Sequence, residues 1–312
     1  MKIVVLDGYA ANPGDISWSE MEALGELTVY DRTAPDDIEK RLQDADVLLT
    51  NKCIITKEIM TKLPKLKYIG VLATGYNVID VAAAKELGIA VTNIPAYSTR
   101  SVAQLVFALI LEIAQHVGEH SRAVLSGRWE TSKDFVFWDY KLTELVGKTL
   151  GIIGYGAIGH AVGSLAEAFG MNVIPYSPSI AGKDVLERIY AESDIISLNC
   201  PQKPDNAGMI NKDVLDKVKP GAWLINTARG GLIDENAVAD ALRSGKLGWY
   251  AADVVSKEPI LGTNPLLKAP NVILTPHIAW APYEARVRLM DISVKNLQAF
   301  IRGEALNRVE NK

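Results

Sequence analysis

Three glycines at residues 154, 156 and 159 are the first feature of the sequence with a chemical meaning. They follow the apolar run Leu150–Ile153 and precede a helical pattern over Ala157–Phe169, so the sequence Gly154-Tyr155-Gly156-Ala157-Ile158-Gly159 joins a strand to a helix. In such a turn the first glycine permits the tight bend, the second lets the backbone approach a pyrophosphate, and the third allows close packing. The free amides at the start of the helix also attract phosphate. The spacing therefore predicts a dinucleotide-binding turn.

The acidic residue that usually hydrogen-bonds to the ribose of such a dinucleotide is absent from its expected position. It is expected about 20 residues further on, at the end of the next strand, but Ser177 stands there. Without a carboxylate a 2′-phosphate is not repelled, and the hydroxyls of Ser177 and Ser179 could bind one. The first cation after this point is Lys183, however. The sequence leaves both NAD and NADP open as the cofactor, with NAD slightly favoured.

Three polar residues follow successive apolar runs in the second half of the chain. Arg229 comes shortly after the run 223–226, Glu258 after the run 250–254, and His277 after a third run. Ligands of open α/β sheets bind beyond the carboxyl ends of the strands, so all three side chains should face the crevice of the glycine turn. Any one of them alone would more often be a surface or capping residue. Their shared position in three successive units favours a catalytic site.

Alternating strand-like and helix-like segments must position these residues. The runs predicted as strands are residues 3–6, 27–30, 47–50, 68–72 and 89–92 in a first series, and 150–153, 173–176, 195–198, 223–226, 250–254 and 272–274 in a second. Apolar strands separated by helical segments favour parallel sheets that are covered on both faces. The predicted fold class is therefore α/β, with two Rossmann-like or flavodoxin-like parallel-sheet domains.

The helical segments suggest how the two domains divide the chain. Predicted helices cover residues 16–24, 35–43, 57–63, 80–87, 102–117 and 157–169, and an amphipathic helix runs from Val287 to Ile301. No strand follows this last helix, so we expect it to return to the first domain. The prediction is a discontinuous substrate domain of residues 1–98 plus 285–312, and a dinucleotide-binding Rossmann domain of residues 99–284.

Composition excludes several other classes of protein. The chain has 312 residues, of which 48% are hydrophobic and 22% charged, as in a soluble globular protein of about two domains. A net charge of −4 without a long basic cluster argues against nucleic-acid binding. The longest apolar run, Leu105–Leu111, is far below the roughly 20 residues that span a bilayer. Cys53 and Cys200 are not expected to pair, so we predict a cytoplasmic protein without a metal or a membrane partner.

Several stretches closely resemble the D-isomer-specific 2-hydroxyacid dehydrogenase family. The resemblance rests on the sequences 225–234 (INTARGGLID), 252–259 (ADVVSKEP) and 274–280 (LTPHIAW), and it extends to residues 71–77 and 296–303. The stretch Thr275–Trp280 is most similar to the glycerate dehydrogenase, or hydroxypyruvate reductase, branch. The resemblance implies hydride transfer between a nicotinamide and a small 2-oxo acid, with hydroxypyruvate and D-glycerate as the favoured pair. It also implies an active site in a cleft between the domains and a homodimer formed through residues 102–117 and 127–140.

The resemblance also implies roles for individual residues. Arg229 would bind the carboxylate and carbonyl oxygen of the substrate, as a planar guanidinium suits. His277 would donate a proton to that carbonyl, and Glu258 would pair with His277 and favour its charged form. The remaining predicted contacts are Thr74, Gly75 and Trp280 for the substrate, Thr227, Ala228 and Asp253 for the nicotinamide side, and Cys200 and Pro201 for the adenine side.

Two alternative functions differ in chemistry from a hydroxypyruvate reductase. The nearest is an NADPH-dependent reductase of glyoxylate or another 2-oxo acid. The other is a non-catalytic dinucleotide sensor, because some relatives of the fold act as transcriptional co-repressors; turnover would separate it from an enzyme. Formate dehydrogenases share the fold but carry an uncharged amide where this chain has Glu258.

Overall fold

The computed structural model describes residues 1–310 and divides into two compact units. The first unit contains Met1–Ser98 and the described part of Ala281–Lys312, and the second contains Thr99–Trp280. The use of the first unit for substrate and of the second for a dinucleotide stays a prediction.

The first unit is built on a five-stranded parallel sheet. Its strands are β1 (Lys2–Val5), β2 (Glu26–Val29), β3 (Val47–Thr50), β4 (Tyr68–Val71) and β5 (Ala90–Thr92), in the order β2-β1-β3-β4-β5. This is the flavodoxin-like order, in which the direction of winding reverses between β1 and β3. Asp7 marks that point, because its carboxylate accepts hydrogen bonds from the amides of Asn51, Lys52 and Cys53 after β3.

The helices of this unit are short. They are α1 (Gly8–Ala11), α2 (Ser19–Glu22), α3 (Ile38–Leu42), which follows a 3-10 turn at Pro35–Asp37, α4 (Lys57–Thr61) and α5 (Val81–Glu86). The prediction of a helix over residues 16–24 was too long. The Asn12 side chain accepts hydrogen bonds from the amides of Gly14 and Ile16, which holds that segment in a loop until Ser19.

The second unit is a six-stranded parallel sheet covered by helices on both faces. Its elements are α6 (Thr99–Gln115), α7 (Val117–Leu125), β6 (Thr149–Ile153), α8 (Ala157–Ala168), β7 (Asn172–Tyr176), α9 (Lys183–Glu192), β8 (Ile195–Leu198), α10 (Lys212–Lys217), β9 (Ala222–Asn226), α11 (Glu235–Arg243), β10 (Leu247–Ala252) and β11 (Val272–Leu274), with 3-10 turns at Gly230–Leu232 and Pro265–Lys268. The strand order is β7-β6-β8-β9-β10-β11, so winding reverses between β6 and β8. The predicted α/β class with two parallel sheets is confirmed.

Two hydrophobic clusters enclose this second sheet. Ile152 and Ile225 pack with α6 and α8 on one face, whereas Leu198 and Leu224 pack with α10 and α11 on the other. Strands buried on both faces explain why the sequence shows unbroken apolar runs rather than alternation.

The predicted helix 102–117 corresponds to α6, which begins three residues earlier and ends two residues earlier, and α7 was not predicted. His116 has a positive φ of 50° and ends α6, and α7 begins at the next residue. The irregular aromatic segment 127–140 returns to this break, where the Tyr140 ring stacks on the His116 ring with centroids 4.2 Å apart. Within the segment, Arg128 forms an ion pair with Asp139.

The last helix, α12 (Tyr283–Ile301), belongs to the first unit. The Phe300 ring lies 4.9 Å from the Tyr68 ring of β4, and the Asn296 amide donates to the carbonyl of Asn93. No single helix within residues 1–310 is long and apolar enough to cross a membrane. Helices α6 and α7 reach that length only as a pair bent by 57°.

Candidate active site

The glycine turn between β6 and α8 has a distinct constraint at each glycine. Gly154 has a φ of 101°, and an added Cβ there would lie 2.4 Å from the Cys200 amide nitrogen. A Cβ on Gly159 would lie 2.3 Å from the Gly154 carbonyl oxygen. Gly156 differs, because nothing lies within 4 Å of its added Cβ. The fold therefore requires glycine at the first and third positions, whereas the second glycine borders open space.

The surroundings of this turn fit a dinucleotide. Helix α8 has 12 residues, and the amides of its first turn have no intrahelical partner and carry the positive end of the helix dipole. The turn lies at the carboxyl end of β6, where the winding of the sheet reverses between β6 and β8, and this is the position at which open α/β sheets bind ligands. Two buried oxygens nearby, Oγ1 of Thr227 and Oδ1 of Asn199, have no hydrogen-bond partner within the described chain. A buried acceptor or hydroxyl without a partner is costly, so these atoms favour a polar ligand.

The other predicted cofactor residues lie in the turn itself or just after β8 and β9. The Tyr155 ring lies 4.0 Å from the His160 ring, against α8, so the Tyr155 side chain covers the helix. Burial raises the pKa of the Cys200 thiol, which keeps it protonated and unreactive. Pro201 follows it and is exposed, while Ala228 comes directly after Thr227 at the end of β9. The contacts of these residues with a cofactor stay predictions.

Ser177 lies directly beside the glycine turn. It follows β7, and the carbonyl of Tyr176 accepts hydrogen bonds from the amides of both Gly154 and Tyr155. The hydroxyls of Ser177 and Ser179 are 3.1 Å apart. Among residues 1–310 no strand pairs with the outer side of β7, so these hydroxyls lie at an open edge of the sheet.

His277 and Glu258 form a direct pair. Nδ1 of His277 lies 2.7 Å from Oε2 of Glu258, and the two side chains are 27% and 36% exposed. With Nδ1 held by a carboxylate, Nε2 is the ring nitrogen left to exchange a proton with a ligand. Glu258 precedes a cis peptide bond to Pro259.

The backbone at His277 is held in an unusual conformation by Asp253. His277 has a φ of 56°, in a region of backbone conformation that residues other than glycine rarely adopt. Both oxygens of the buried Asp253 carboxylate accept hydrogen bonds from the surrounding loop, from the Thr275 hydroxyl, the Ile278 amide and the Ala279 amide. Asp253 therefore fixes the loop that carries His277. Its predicted place in the cofactor site stays a prediction.

Arg229 begins the turn after β9 and is exposed. One guanidinium nitrogen donates to the Ala228 carbonyl at 2.7 Å. Within residues 1–310 no carboxylate pairs with it, so its remaining donors are available to an anion. Gly230 packs so closely that an added Cβ would lie 1.9 Å from the carbonyl carbon of Val255. The turn of Arg229 therefore contacts the backbone of the segment that carries Glu258.

The predicted substrate contacts belong to different units. Thr74 and Gly75 lie in the first unit, after β4, where the Thr74 hydroxyl donates to the Ile94 carbonyl at 2.8 Å. Trp280 is partly exposed and ends the second unit. Sequence reasoning missed the support that Asp253 and Gly230 give to this site, because only the three-dimensional contacts show which loops they join.

The second unit carries a glycine turn that fits a dinucleotide, an imidazole–carboxylate pair and a guanidinium with free donors, a combination typical of a nicotinamide-dependent oxidoreductase. Comparison with known proteins agrees: the sequence model described as "D-isomer specific 2-hydroxyacid dehydrogenase, NAD binding domain" matches residues 107–279. The chain belongs to this family.

Individual relatives cover nearly the whole chain. It is 51% identical to the hydroxypyruvate reductase of Blautia hydrogenotrophica and 41% identical to the glycerate dehydrogenase of Methylorubrum extorquens, with 99% of each chain covered in both cases. Among solved structures it is similar to an acyclic imino acid reductase, Bsp5, in complex with NADPH and D-Arg, at 30% identity and a TM-score of 0.86 over 99% of this chain and 100% of that one. The chain is an oxidoreductase acting on CH–OH donors, with a nicotinamide cofactor.

Proposed function

We propose that this chain interconverts hydroxypyruvate and D-glycerate. The observation that carries the chemistry is the contact between His277 and Glu258, on a loop held by Asp253. The likeness to a hydroxypyruvate reductase and a glycerate dehydrogenase supports the choice of substrate pair. Trp280, three residues after His277, supports a small substrate.

Each side chain would have a separate role in the reduction of the substrate. Arg229 would bind the substrate carboxylate and orient its carbonyl oxygen, since its fork of donors matches both oxygens. Thr74 and Gly75 would supply further contacts to that carboxylate. Nε2 of His277 would donate a proton to the carbonyl oxygen, and the Glu258 carboxylate would stabilise the charged imidazole that does so. The nicotinamide, when bound, supplies the hydride.

The residues present fit such a cofactor. The glycine turn at residues 154–159 and the start of α8 would hold the pyrophosphate, and Thr227, Ala228 and Asp253 would face the nicotinamide. Cys200 and Pro201 would border the adenine. At Ser177 neither an acid for NAD nor a cation for NADP is present, and the pair of hydroxyls of Ser177 and Ser179 would accept either cofactor. NAD is slightly favoured.

We also propose that the protein acts as a homodimer through α6, α7 and the segment 127–140. Large apolar side chains of this region lie in water in the single chain: Leu125 is 84% exposed, Phe135 88% and Trp138 62%. Several large apolar side chains exposed in one region of a chain are typical of an interaction site.

The test is a comparison of initial rates with hydroxypyruvate, glyoxylate and pyruvate, each with NADH and with NADPH. Preference for hydroxypyruvate with NADH supports the proposal. Preference for glyoxylate with NADPH would instead favour the alternative reductase, for which the open edge at Ser177 is the specific observation. The absence of turnover with every pair would contradict both.

A further inference from the structure

The segment that carries Glu258 is a loop with little regular structure of its own. It runs over residues 253–264, between β10 and the 3-10 turn at Pro265–Lys268, and is called the Glu258 loop below. Within it the Val255 amide donates a long hydrogen bond, 3.4 Å, to Oε1 of Glu258. The Glu258 carboxylate moves with this loop, so contacts that hold the loop from outside bear on its placement.

Glu235, in the first turn of α11, binds this loop at two places. Its Oε1 accepts a hydrogen bond from the Ser256 amide at 2.8 Å. Its Oε2 accepts one from the Ser256 hydroxyl at 2.7 Å and another from Nδ2 of Asn264 at 3.0 Å. Asn264 is buried, and its own Oδ1 caps the following 3-10 turn. One carboxylate thus ties the position two residues before Glu258 to the far end of the loop.

The same stretch of chain begins with Arg229. Residues 229–235 run from the Arg229 turn directly into α11, and Gly230 in this stretch lies against Val255 and Ser256. The Glu258 loop is therefore fixed to this stretch at two points, by backbone packing at Gly230 and by hydrogen bonds at Glu235. A displacement at either point changes the position of Glu258 relative to Arg229.

We infer that Glu235 is a positioning residue that sets the Glu258–His277 pair against Arg229. The inference rests on the proposed roles of these three residues. The substrate must be held by its carboxylate and protonated at its carbonyl at the same time. An error of about 1 Å in such an arrangement costs up to about 100-fold in rate. Glu235 itself has no role at the reacting atoms.

The test compares Glu235→Ala and Glu235→Gln with the natural chain. In the alanine variant kcat/KM for the 2-oxo acid should fall about 10- to 100-fold, because the loop loses three hydrogen bonds and shifts. The pH above which reduction fails should also move to lower values, since Glu258 no longer aligns with His277. The NADH dissociation constant should stay within about twofold. Glu235→Gln should recover part of the activity, because its amide oxygen still accepts from the Ser256 amide.

A matched control lies on the same helix. Asp240→Asn removes an exposed carboxylate whose ion pair among the described residues is with Arg243, and it should leave kinetics and pH profile unchanged. Ser256→Ala removes a single hydrogen bond and should reduce kcat/KM less than Glu235→Ala does. Its effect should disappear in the Glu235→Ala background, as expected for two residues that act through one contact.

An alanine variant that melts earlier but keeps the natural kcat/KM and pH profile would overturn the inference, because Glu235 would then only stabilise the fold. Should Glu235→Ala not fold, Ser256→Ala and Glu235→Gln give the same kinetic test. Failure of the proposed function is seen separately: His277→Ala would then turn over at the natural rate, whatever Glu235 does.

Discussion

At the scale of single residues, the contact between Glu258 and His277 makes a prediction about pH. Glu258→Gln replaces the carboxylate with a neutral amide, so the charged imidazole loses its stabilising partner. The pH above which reduction fails should therefore move to a lower value, while the rate at acidic pH falls less. The measurement is kcat for hydroxypyruvate reduction as a function of pH. A profile that superimposes on that of the natural chain would reject the pairing.

Asp194 makes a prediction about stability rather than catalysis. Burial alone would raise the pKa of this carboxyl, but hydrogen bonds from the Lys219 ammonium, 2.8 Å away, and from the Thr149 amide lower it overall. A lowered pKa in the folded state stabilises the protein above the unfolded value, about 3.9, and this gain is lost as the pH falls through the folded value. Asp194→Asn should thus cost about 1 kcal/mol of unfolding free energy at neutral pH.

The measurement is the urea midpoint at neutral pH and again near pH 3, which is below the ordinary aspartate pKa of about 3.9. The difference between Asp194→Asn and the natural chain should narrow at the lower pH. Asp216→Asn is the control, because its pair with Lys212 is exposed and contributes little. An equal gap at both values of pH would show that the Asp194 charge is not the cause.

The sequence indicated candidate site residues where a reactive side chain follows a predicted strand. Arg229, Glu258 and His277 could be chosen from the sequence because each follows a strand of one sheet. The hydrogen bonds of Asp253 and Glu235 could not, because an acidic residue in a loop gives no sign of which amides it will meet. Those contacts depend on how loops far apart in the chain come together.

At the scale of elements, a substitution in the turn between β6 and α8 can separate an effect on stability from an effect on ligand binding. Gly156→Ala adds a methyl group to open space, so the melting temperature should stay within about 2 °C of the natural value, as for a surface substitution. The methyl group would occupy the space that a pyrophosphate needs. We expect the dissociation constant for NADH to rise at least about tenfold, which corresponds to about 1.4 kcal/mol.

Gly262→Ala provides the comparison for this variant, since its added Cβ also meets nothing within 4 Å but lies outside the proposed phosphate site. It should bind NADH normally. Equal NADH affinity in both variants and the natural chain would mean that no phosphate group approaches Gly156.

Strands were easier to predict than helices in this chain. The runs 47–50, 195–198 and 272–274 became strands with the same bounds, because burial on both faces leaves an unbroken apolar signal. Helix ends depended on single side chains and backbone angles. Asn12 delays α2, and the positive φ of His116 ends α6 two residues before the predicted end of that helix. Neither event shows in the periodicity of the sequence.

At the scale of the whole molecule, the exposed aromatic segment predicts self-association. Phe135→Asp places a charge on a side chain that is 88% exposed in the single chain, so it should not disturb the fold of either unit. In a dimer the same charge would be buried without a partner, which is costly. Light scattering should give twice the chain mass for the natural protein and a lower mass for the variant. Val117→Asp tests α7 in the same way; a natural chain with the mass of one copy would reject the dimer.

The most direct test of the account is the rate of hydroxypyruvate reduction by the natural chain and by His277→Ala at saturating NADH. A positioned acid contributes about 100- to 10,000-fold, so the variant should lose at least about 100-fold in kcat. Its dissociation constant for NADH should be nearly unchanged, because the glycine turn is intact. Equal kcat values, or no turnover of any 2-oxo acid by the natural chain, would contradict the assignment of His277 as the proton donor of a 2-hydroxyacid dehydrogenase.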